Sequence, residues 1–354
     1  MRIGIPKETT LEEKRVGLSP AGVDQLIKAG HTVFIETNAG AESHFTDEQY
    51  RKIGANIVYT ADEVYQRSEL IAKVAPITEK EVNLMQEDQI LFSFLRLTAS
   101  RKKIIDTLLA KRITAIAYEL IEKDDQLPVL HSMSEIAGQL TIQLAERFLC
   151  SDLPHTRGVL LGGITGVAPA AVVIIGAGVV GFNAARAAVG RGAHVIVLDN
   201  DLRKLRNIET ILSKNITTVV ANPYTIARGM KYADVLISAI QVKGEKSPII
   251  ITEEMIKTMK KGAVVMDVAI DQGGSVENVR PTSLSNPIYI EHDVIHFGVP
   301  NIPAMVARTA SYGLNNASID YILKIADNGL TNSLMDDSGL SNGVCVYGGT
   351  CTNE

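Results

Sequence analysis

Three glycines, Gly176, Gly178 and Gly181, follow an apolar β-branched run at residues 171–175 with GxGxxG spacing, and Asp199 closes a second apolar run at residues 194–198. That order reads as strand, tight turn, helix and strand. The first glycine permits the turn, the second lets backbone approach a pyrophosphate, and the third lets helix and strand pack closely. Free N–H groups and the positive dipole end at the start of the helix favour phosphate. A carboxylate ending the second strand accepts both ribose hydroxyls and repels a 2′-phosphate, so the expected ligand is NAD rather than NADP. The glycine spacing alone recurs by chance in glycine-rich loops, but here the strand, the helix and the terminal acid accompany it. The competing reading is a fold of this kind that has lost its nucleotide.

Other residues carry chemistry by type and place. Asp271 stands where an apolar run at residues 263–269 gives way to Asp271-Gln272-Gly273-Gly274. Ligands of open α/β sheets bind outside the carboxyl ends of the strands, so this acid is expected at a cleft, in proton transfer; its plain alternative is a loop cap. Lys73 lies inside an apolar strand pattern, where a lysine either snorkels at the strand end or faces a cleft. Arg96 ends the run ILFSFL and has the same two readings. Arg15 belongs to the charge run Glu12-Glu13-Lys14-Arg15, which by composition reads as a solvated face. Met133 reads by default as core, and Asn301, lying between Pro300 and Pro303, as a turn cap.

Length and charge bound the function. A chain of 354 residues suffices for two ordinary domains. A net charge of −5 argues against nucleic acid or an anionic membrane as partner. No apolar run reaches the ~18 residues of a spanning helix. The start, MRIGIPKE, enters a strand pattern with no signal-peptide core, and Cys150, Cys345 and Cys351 are too scattered for a disulfide framework, so a reducing cytoplasm is expected. Dispersed histidines give no metal-ligand spacing, and no metal is expected.

The elements that must position these residues alternate. A strand at 2–6 leads through a polar loop to a helix with Ser19 as N-cap, Pro20 at N1 and Gly30 as C-cap, then a strand at 31–36. Thr46 opens a short helix, buried strands follow at 69–74 and 89–95, then a helix at 101–111 and a strand at 113–119. Residues 121–128 are the expected hinge, after which Ser134 is expected to cap a helix whose Ile136, Ala137, Leu140, Leu144, Ala145 and Phe148 keep helical spacing. Apolar runs at 217–220, 234–239 and 263–269 continue the nucleotide sheet, and a long helical pattern spans 304–328. The polar tail, 331–354, reads as a loosely held extension. The fold class is α/β: two Rossmann-like, doubly wound parallel sheets covered on both faces.

From end to end the chain resembles the NAD-dependent alanine dehydrogenases, which share a fold with the nucleotide-binding subunit of proton-translocating transhydrogenase. The stretches that carry the resemblance are IGIPKE, EKRVGLSP, MSEIAGQL, RGVLLGG with GVAP, the glycine fingerprint, DVAIDQGG, VPNIPA and NGVCVY. The arginine- and serine-rich nucleotide loop of the transhydrogenase branch is missing. The resemblance implies a discontinuous substrate domain at residues 1–128 and 305–354, with an NAD domain at 129–304 inserted in it. It implies a homohexamer that converts L-alanine, NAD and water to pyruvate, ammonium and NADH. Nucleotide contacts map onto Ser134, Val179, Val180, Asp199, Lys204, Ile240, Gln241, Val268, Ala269, Ile270, Asp271, Val299, Asn301 and Ile302. The carboxylate-binding arginine maps onto Arg15, the active-site aspartate onto Asp271, and the pocket methionine and asparagine onto Met133 and Asn301.

Two positions depart from that pattern. Ala75 takes the place of the family's substrate lysine, leaving Lys73 two residues earlier on the same strand face, from which it is expected to reach the substrate. Arg96 takes the place of the catalytic histidine. A guanidinium stays charged where an imidazole exchanges a proton, so Arg96 is no general base and proton transfer falls to Asp271 or a water it orients. Two other readings stay open: an NAD-binding relative with lost or altered catalysis, and an oxidoreductase on a more acidic 2-oxo or amino acid.

Overall fold

The computed structural model describes residues 1–96, 102–152, 154–240 and 247–352. The chain divides into two compact units, residues 1–133 with 304–354, and residues 134–303.

The first unit opens with β1 (Arg2–Ile5), α1 (Pro20–Lys28), β2 (Thr32–Glu36), α2 (Asp47–Lys52), β3 (Asn56–Val58) and α3 (Ala61–Arg67). It continues with β4 (Leu70–Ala72), α4 (Glu79–Leu84), β5 (Ile90–Ser93), α5 (Lys102–Ala110) and β6 (Thr114–Ala117). Every residue of β4, β5 and β6 is buried, as parallel strands covered on both faces must be. Helix starts follow their caps. Thr46 and Thr78 each form a reciprocal capping box, with Gln49 and Glu81. Ser19 does occupy the N-cap position of α1, but its side chain makes no capping bond. Gly30, with φ +89°, lies one residue past the actual C-cap, Ala29, where a left-handed residue ends helices.

α6 (Pro128–Phe148) starts seven residues earlier than a cap at Ser134 implies. Proline is pre-organised for a first helical turn, so Ser134 lies within the helix rather than at its cap. The division between the units falls inside α6, after Met133.

The second unit holds β7 (Ala171–Ile175), α7 (Val179–Gly190), β8 (His194–Asp199), α8 (Leu202–Leu212), β9 (Ile216–Val220), α9 (Pro223–Tyr232) and β10 (Val235–Ser238). After these come α10 (Glu253–Ile256), β11 (Val264–Asp267), β12 (Ile288–Glu291) and β13 (Val294–Phe297). The pair β12–β13 is an antiparallel hairpin that the sequence reading missed. His292 and Asp293 close it, both at positive φ, as a two-residue hairpin turn of the primed type requires.

The chain then returns to the first unit through α11 (Ala307–Asn328), α12 (Leu330–Asp336), α13 (Ser338–Asn342), β14 (Val344–Tyr347) and β15 (Thr350–Cys351). The tail is therefore not a loose extension. β14 pairs antiparallel with β6 and buries Val344, Cys345 and Val346, while Asp337 caps α13 through Leu340 N (2.9 Å) and accepts Lys324 Nζ (2.8 Å). A three-residue apolar run is enough when a ready-made sheet edge waits for it, and the polar residues around it sit on helix faces.

The first sheet runs β15-β14-β6-β5-β4-β1-β2-β3 and the second β12-β13-β11-β10-β7-β8-β9. Each contains the doubly wound order in which the chain reverses direction beside its first strand, at β1/β4 and at β7/β10. The sheets are mixed rather than wholly parallel, with antiparallel strands at one edge of each.

Candidate nucleotide and substrate sites

In the second unit, β7 ends against Gly176, whose φ of +103° suits glycine. A Cβ at Gly181 would lie 1.8 Å from Gly176 O, so α7 and the turn touch there. A Cβ at Gly178 would meet nothing within 4 Å, although this residue is the N-cap of α7. The turn therefore keeps open space in front of a twelve-residue helix whose first N–H groups and dipole favour an anion. Asp199, 7% exposed, ends β8 and accepts Ala177 N (2.7 Å) and Asp201 N (2.8 Å). The acid thus ties the second strand to the glycine turn. Val179 and Val180 form the half-buried first residues of α7, Ile240 follows β10, and Lys204 is exposed on α8. Gln241 lies outside the described residues.

β11 ends in a residue that sequence reasoning passed over. Asp267 is fully buried and accepts backbone N–H groups of Ala269 (3.0 Å), Ser275 (2.8 Å) and Val276 (3.1 Å). Burial pushes its carboxyl above the usual range, and those bonds pull it back. They close residues 267–276 into a loop around one 3-10 turn, Ile270–Gln272. Asp271 stands exposed on that turn and accepts Asn301 N at 3.2 Å. Asn301 sits at φ +59°, a region its short polar side chain tolerates, between the buried Val299 and Ile302. Val268 is half-buried, and Ala269 and Ile270 are buried. The structure thus brings Asp271 and Asn301 together.

In the first unit the charge run is not a solvated face. Glu13 and Arg15 are buried and Lys14 is exposed, an alternation that pairs the two inward residues. Arg15 donates from Nε and Nη2 to Glu13 Oε1 (2.8 Å) and Oε2 (2.6 Å), and from Nη1 to Met133 Sδ (3.3 Å). Its guanidinium carbon lies 5.8 Å from the centre of the Phe94 ring. The backbone beside it is fixed as well: Val16 N donates to Ser311 Oγ on α11 (3.1 Å), and Ser43 Oγ donates to Lys14 O (2.8 Å). Arg15 and Met133 thus share one buried cluster.

Lys73 is a correction. It is fully buried and folded under the turn that follows β4, with Nζ 3.1 Å from Glu8 Oε2, 3.6 Å from Glu81 Oε1 and donating to Ala75 O at 2.8 Å. Burial disfavours its charged form, yet Glu8 and Glu81 hold its pKa above the usual lysine range. Burial in turn pushes Glu8 up despite the lysine. Lys73 is thus the cation of an internal cluster rather than a cleft residue. Removing one partner of such a pair leaves uncompensated buried charge, so Lys73→Met is expected to lower stability by ~3–5 kcal/mol, and Glu8→Gln added to it to recover part. Urea unfolding measures both; an unchanged midpoint in the single variant would contradict the pairing.

Arg96 follows β5 in the left-handed region, at φ +44°. Its N–H and that of Leu95 donate to Glu119 Oε1 (2.7 Å) and Oε2 (3.2 Å). Burial pushes the Glu119 carboxyl up and these bonds lower it. Glu8, Glu13, Glu119 and Asp267 all escaped the sequence reading. The only signal for them was position, each within a few residues of a strand's carboxyl end or of Arg15.

Family models for the Alanine dehydrogenase/PNT N-terminal and C-terminal domains match residues 4–137 and 141–354. An alanine dehydrogenase of Methanococcus maripaludis is 45% identical over 356 aligned residues, covering 100% of this chain and 95% of the relative. One of Mycolicibacterium smegmatis is 42% identical, with 100% and 95% covered. Among solved structures, an L-alanine dehydrogenase superposes with a TM-score of 0.95 at 42% identity, covering 100% of this chain and 97% of that one. A transhydrogenase from Sinorhizobium meliloti, 22% identical with 100% and 99% covered, shares the fold with a TM-score of 0.84. The chain belongs to the alanine dehydrogenase/PNT family and carries both of its domains.

Proposed function

We propose that the protein is an NAD-dependent amino-acid dehydrogenase of the alanine dehydrogenase type, interconverting L-alanine, NAD and water with pyruvate, ammonium and NADH. The observation that carries this reading is the similarity to alanine dehydrogenases along the whole chain and in both domains.

The second unit suits the dinucleotide. The open space at Gly178 in front of α7 suits the pyrophosphate, and Asp199 the adenosine ribose. NAD, when bound, accepts the hydride from the substrate Cα. In the first unit, Glu13 fixes the plane of Arg15, whose Nη1/Nη2 edge takes the substrate carboxylate as a bidentate, charge-assisted pair, with Met133 beside it. Oxidation at Cα needs a nitrogen lone pair, so the substrate ammonium first gives up a proton. Arg96 is a permanent cation and takes none. Asp271, or a water it orients, receives that proton, and the same group serves when water opens the resulting imine.

NADH oxidation in the presence of pyruvate and ammonium tests the reaction directly. Turnover is the expected result; NADH binding without turnover on any 2-oxo acid would favour a nucleotide-binding relative that has lost catalysis. Asp199 also predicts cofactor choice. A like-charge contact with a 2′-phosphate costs a few kcal/mol, so NAD is expected to bind at least ~10-fold more tightly than NADP. Equal affinities in a fluorescence titration would remove Asp199 from the ribose site. Assembly as a homohexamer follows from the same family reading, and light scattering checks it. Cys150, Cys345 and Cys351 form no disulfide, which suits a cytoplasmic enzyme, and no helix among the described residues is long and apolar enough to cross a membrane.

A further inference from the structure

We propose that Asp201 is a second determinant of cofactor choice, which engages Arg203 in an ion pair and so withholds that guanidinium from a 2′-phosphate. The inference rests on the nucleotide-binding reading and adds to Asp199 a residue of a different role.

The contacts run in one chain from the glycine turn. Asp199 Oδ2 accepts Ala177 N (2.7 Å), and Asp199 Oδ1 accepts Asp201 N (2.8 Å). Asp201 Oδ1 in turn accepts Arg203 N (2.8 Å) and Nε (3.3 Å), while its Oδ2 accepts Arg203 Nη2 (3.0 Å). One edge of the guanidinium is thus closed on a carboxylate, and that carboxylate's own backbone is tied to the ribose acid. Those side-chain hydrogen bonds from Arg203 hold the Asp201 carboxyl below the usual range.

Helix capping accounts for only part of this arrangement. Asp201 is the N-cap of α8 and takes the N–H of Arg203, a service that serine or asparagine performs as well. Capping needs an oxygen, not a charge. The charge of Asp201 is used on the Arg203 side chain, and the place where that happens decides its consequence. In dinucleotide folds an arginine close to the end of the second strand accommodates a 2′-phosphate, which its forked donors match bidentately. Arg203 and Lys204 begin α8 just after β8, and both are exposed. Relieved of Asp201, this turn would offer two cations beside a single acid. With Asp201 in place it offers two acids, and the arginine fork is taken.

Magnitude follows from exposure. The Arg203 side chain is 88% exposed and can swing once released, but an exposed pair is also a weak one. The effect is therefore a shift in preference rather than a reversal, because Asp199 still repels the phosphate.

The test measures dissociation constants of NADH and NADPH by fluorescence in the parent, Asp201→Ser and Asp201→Ser with Arg203→Ala. Serine keeps the cap, thermal unfolding checks the fold, and Asp201→Asn, which caps too, repeats the measurement. Asp201→Ser is expected to tighten NADPH binding by ~5–20-fold and to leave NADH within about threefold, since an exposed pair and a screened like charge are each worth a factor of a few. The gain should shrink as salt is raised from about 0.05 to 0.5 M, where exposed charges are screened. Adding Arg203→Ala is expected to bring NADPH affinity back to within about twofold of the parent, because the fork is then gone. Unchanged NADPH affinity in Asp201→Ser, with NADH still bound, overturns the proposal and leaves the nucleotide reading intact. So does a gain that survives the loss of Arg203, which would assign it to the removed charge alone. A parent that binds neither nucleotide overturns the nucleotide reading and this proposal with it.

Discussion

Asp271→Asn is expected to lower turnover by ~10²–10⁴-fold, the range of a lost general acid–base group, while NAD affinity stays nearly intact. The structure separates the chemistry of this loop from its folding. Asp267, not Asp271, gathers the backbone N–H groups that close residues 267–276. Asp271 is exposed, so its replacement uncovers no buried charge, and an asparagine side-chain oxygen can still accept Asn301 N. What asparagine lacks is a proton-accepting carboxylate. Steady-state kinetics together with an NADH titration check the prediction. Undiminished turnover would reduce Asp271 to a loop cap.

The second large effect is expected at Gly178. Gly178→Val should weaken NAD binding by at least ~100-fold, equivalent to about 2.7 kcal/mol, and leave the thermal midpoint of the free protein close to that of the parent. The backbone there is extended, at φ −73° and ψ −168°, and the added Cβ has no neighbour within 4 Å, so the first side-chain carbon meets no obstacle in the free protein. It would, however, occupy the space in front of α7 that the pyrophosphate needs. Gly181→Ala is the contrasting control. Its Cβ would meet Gly176 O at 1.8 Å, so that variant should lose stability whether or not nucleotide is present. Undisturbed NAD binding in Gly178→Val would move the phosphates away from this helix start.

Legibility in the sequence followed the range of the interactions. The glycine turn, Asp199 and the Asp271 loop were readable because each rests on neighbours a few residues away or on one strand–helix–strand unit. Both windings were readable because buried parallel strands show as continuous apolar runs. Pairings across the chain were not. Lys73 meets Glu8 from 65 residues away and Arg96 meets Glu119 from 23, and nothing local to Lys73 or Arg96 announces either acid. The start of α6 was misplaced because serine is a good cap in general, whereas Pro128 supplies the fixed φ that begins this helix. The tail was misread because composition says little about three apolar residues that find a sheet edge far back in the chain.

That tail has a consequence for the order in which the protein is made. The second unit is one unbroken stretch, residues 134–303, whereas the first needs residues from both ends of the chain. On a translating ribosome the nucleotide unit is complete in the nascent chain while the first sheet still exposes β6 and the Arg15 segment lacks Ser311. Residues 304–354 take several seconds to synthesise at ~5–20 residues per second. Over that interval the open edge of β6 is the part of the nascent protein that a chaperone would have to shield.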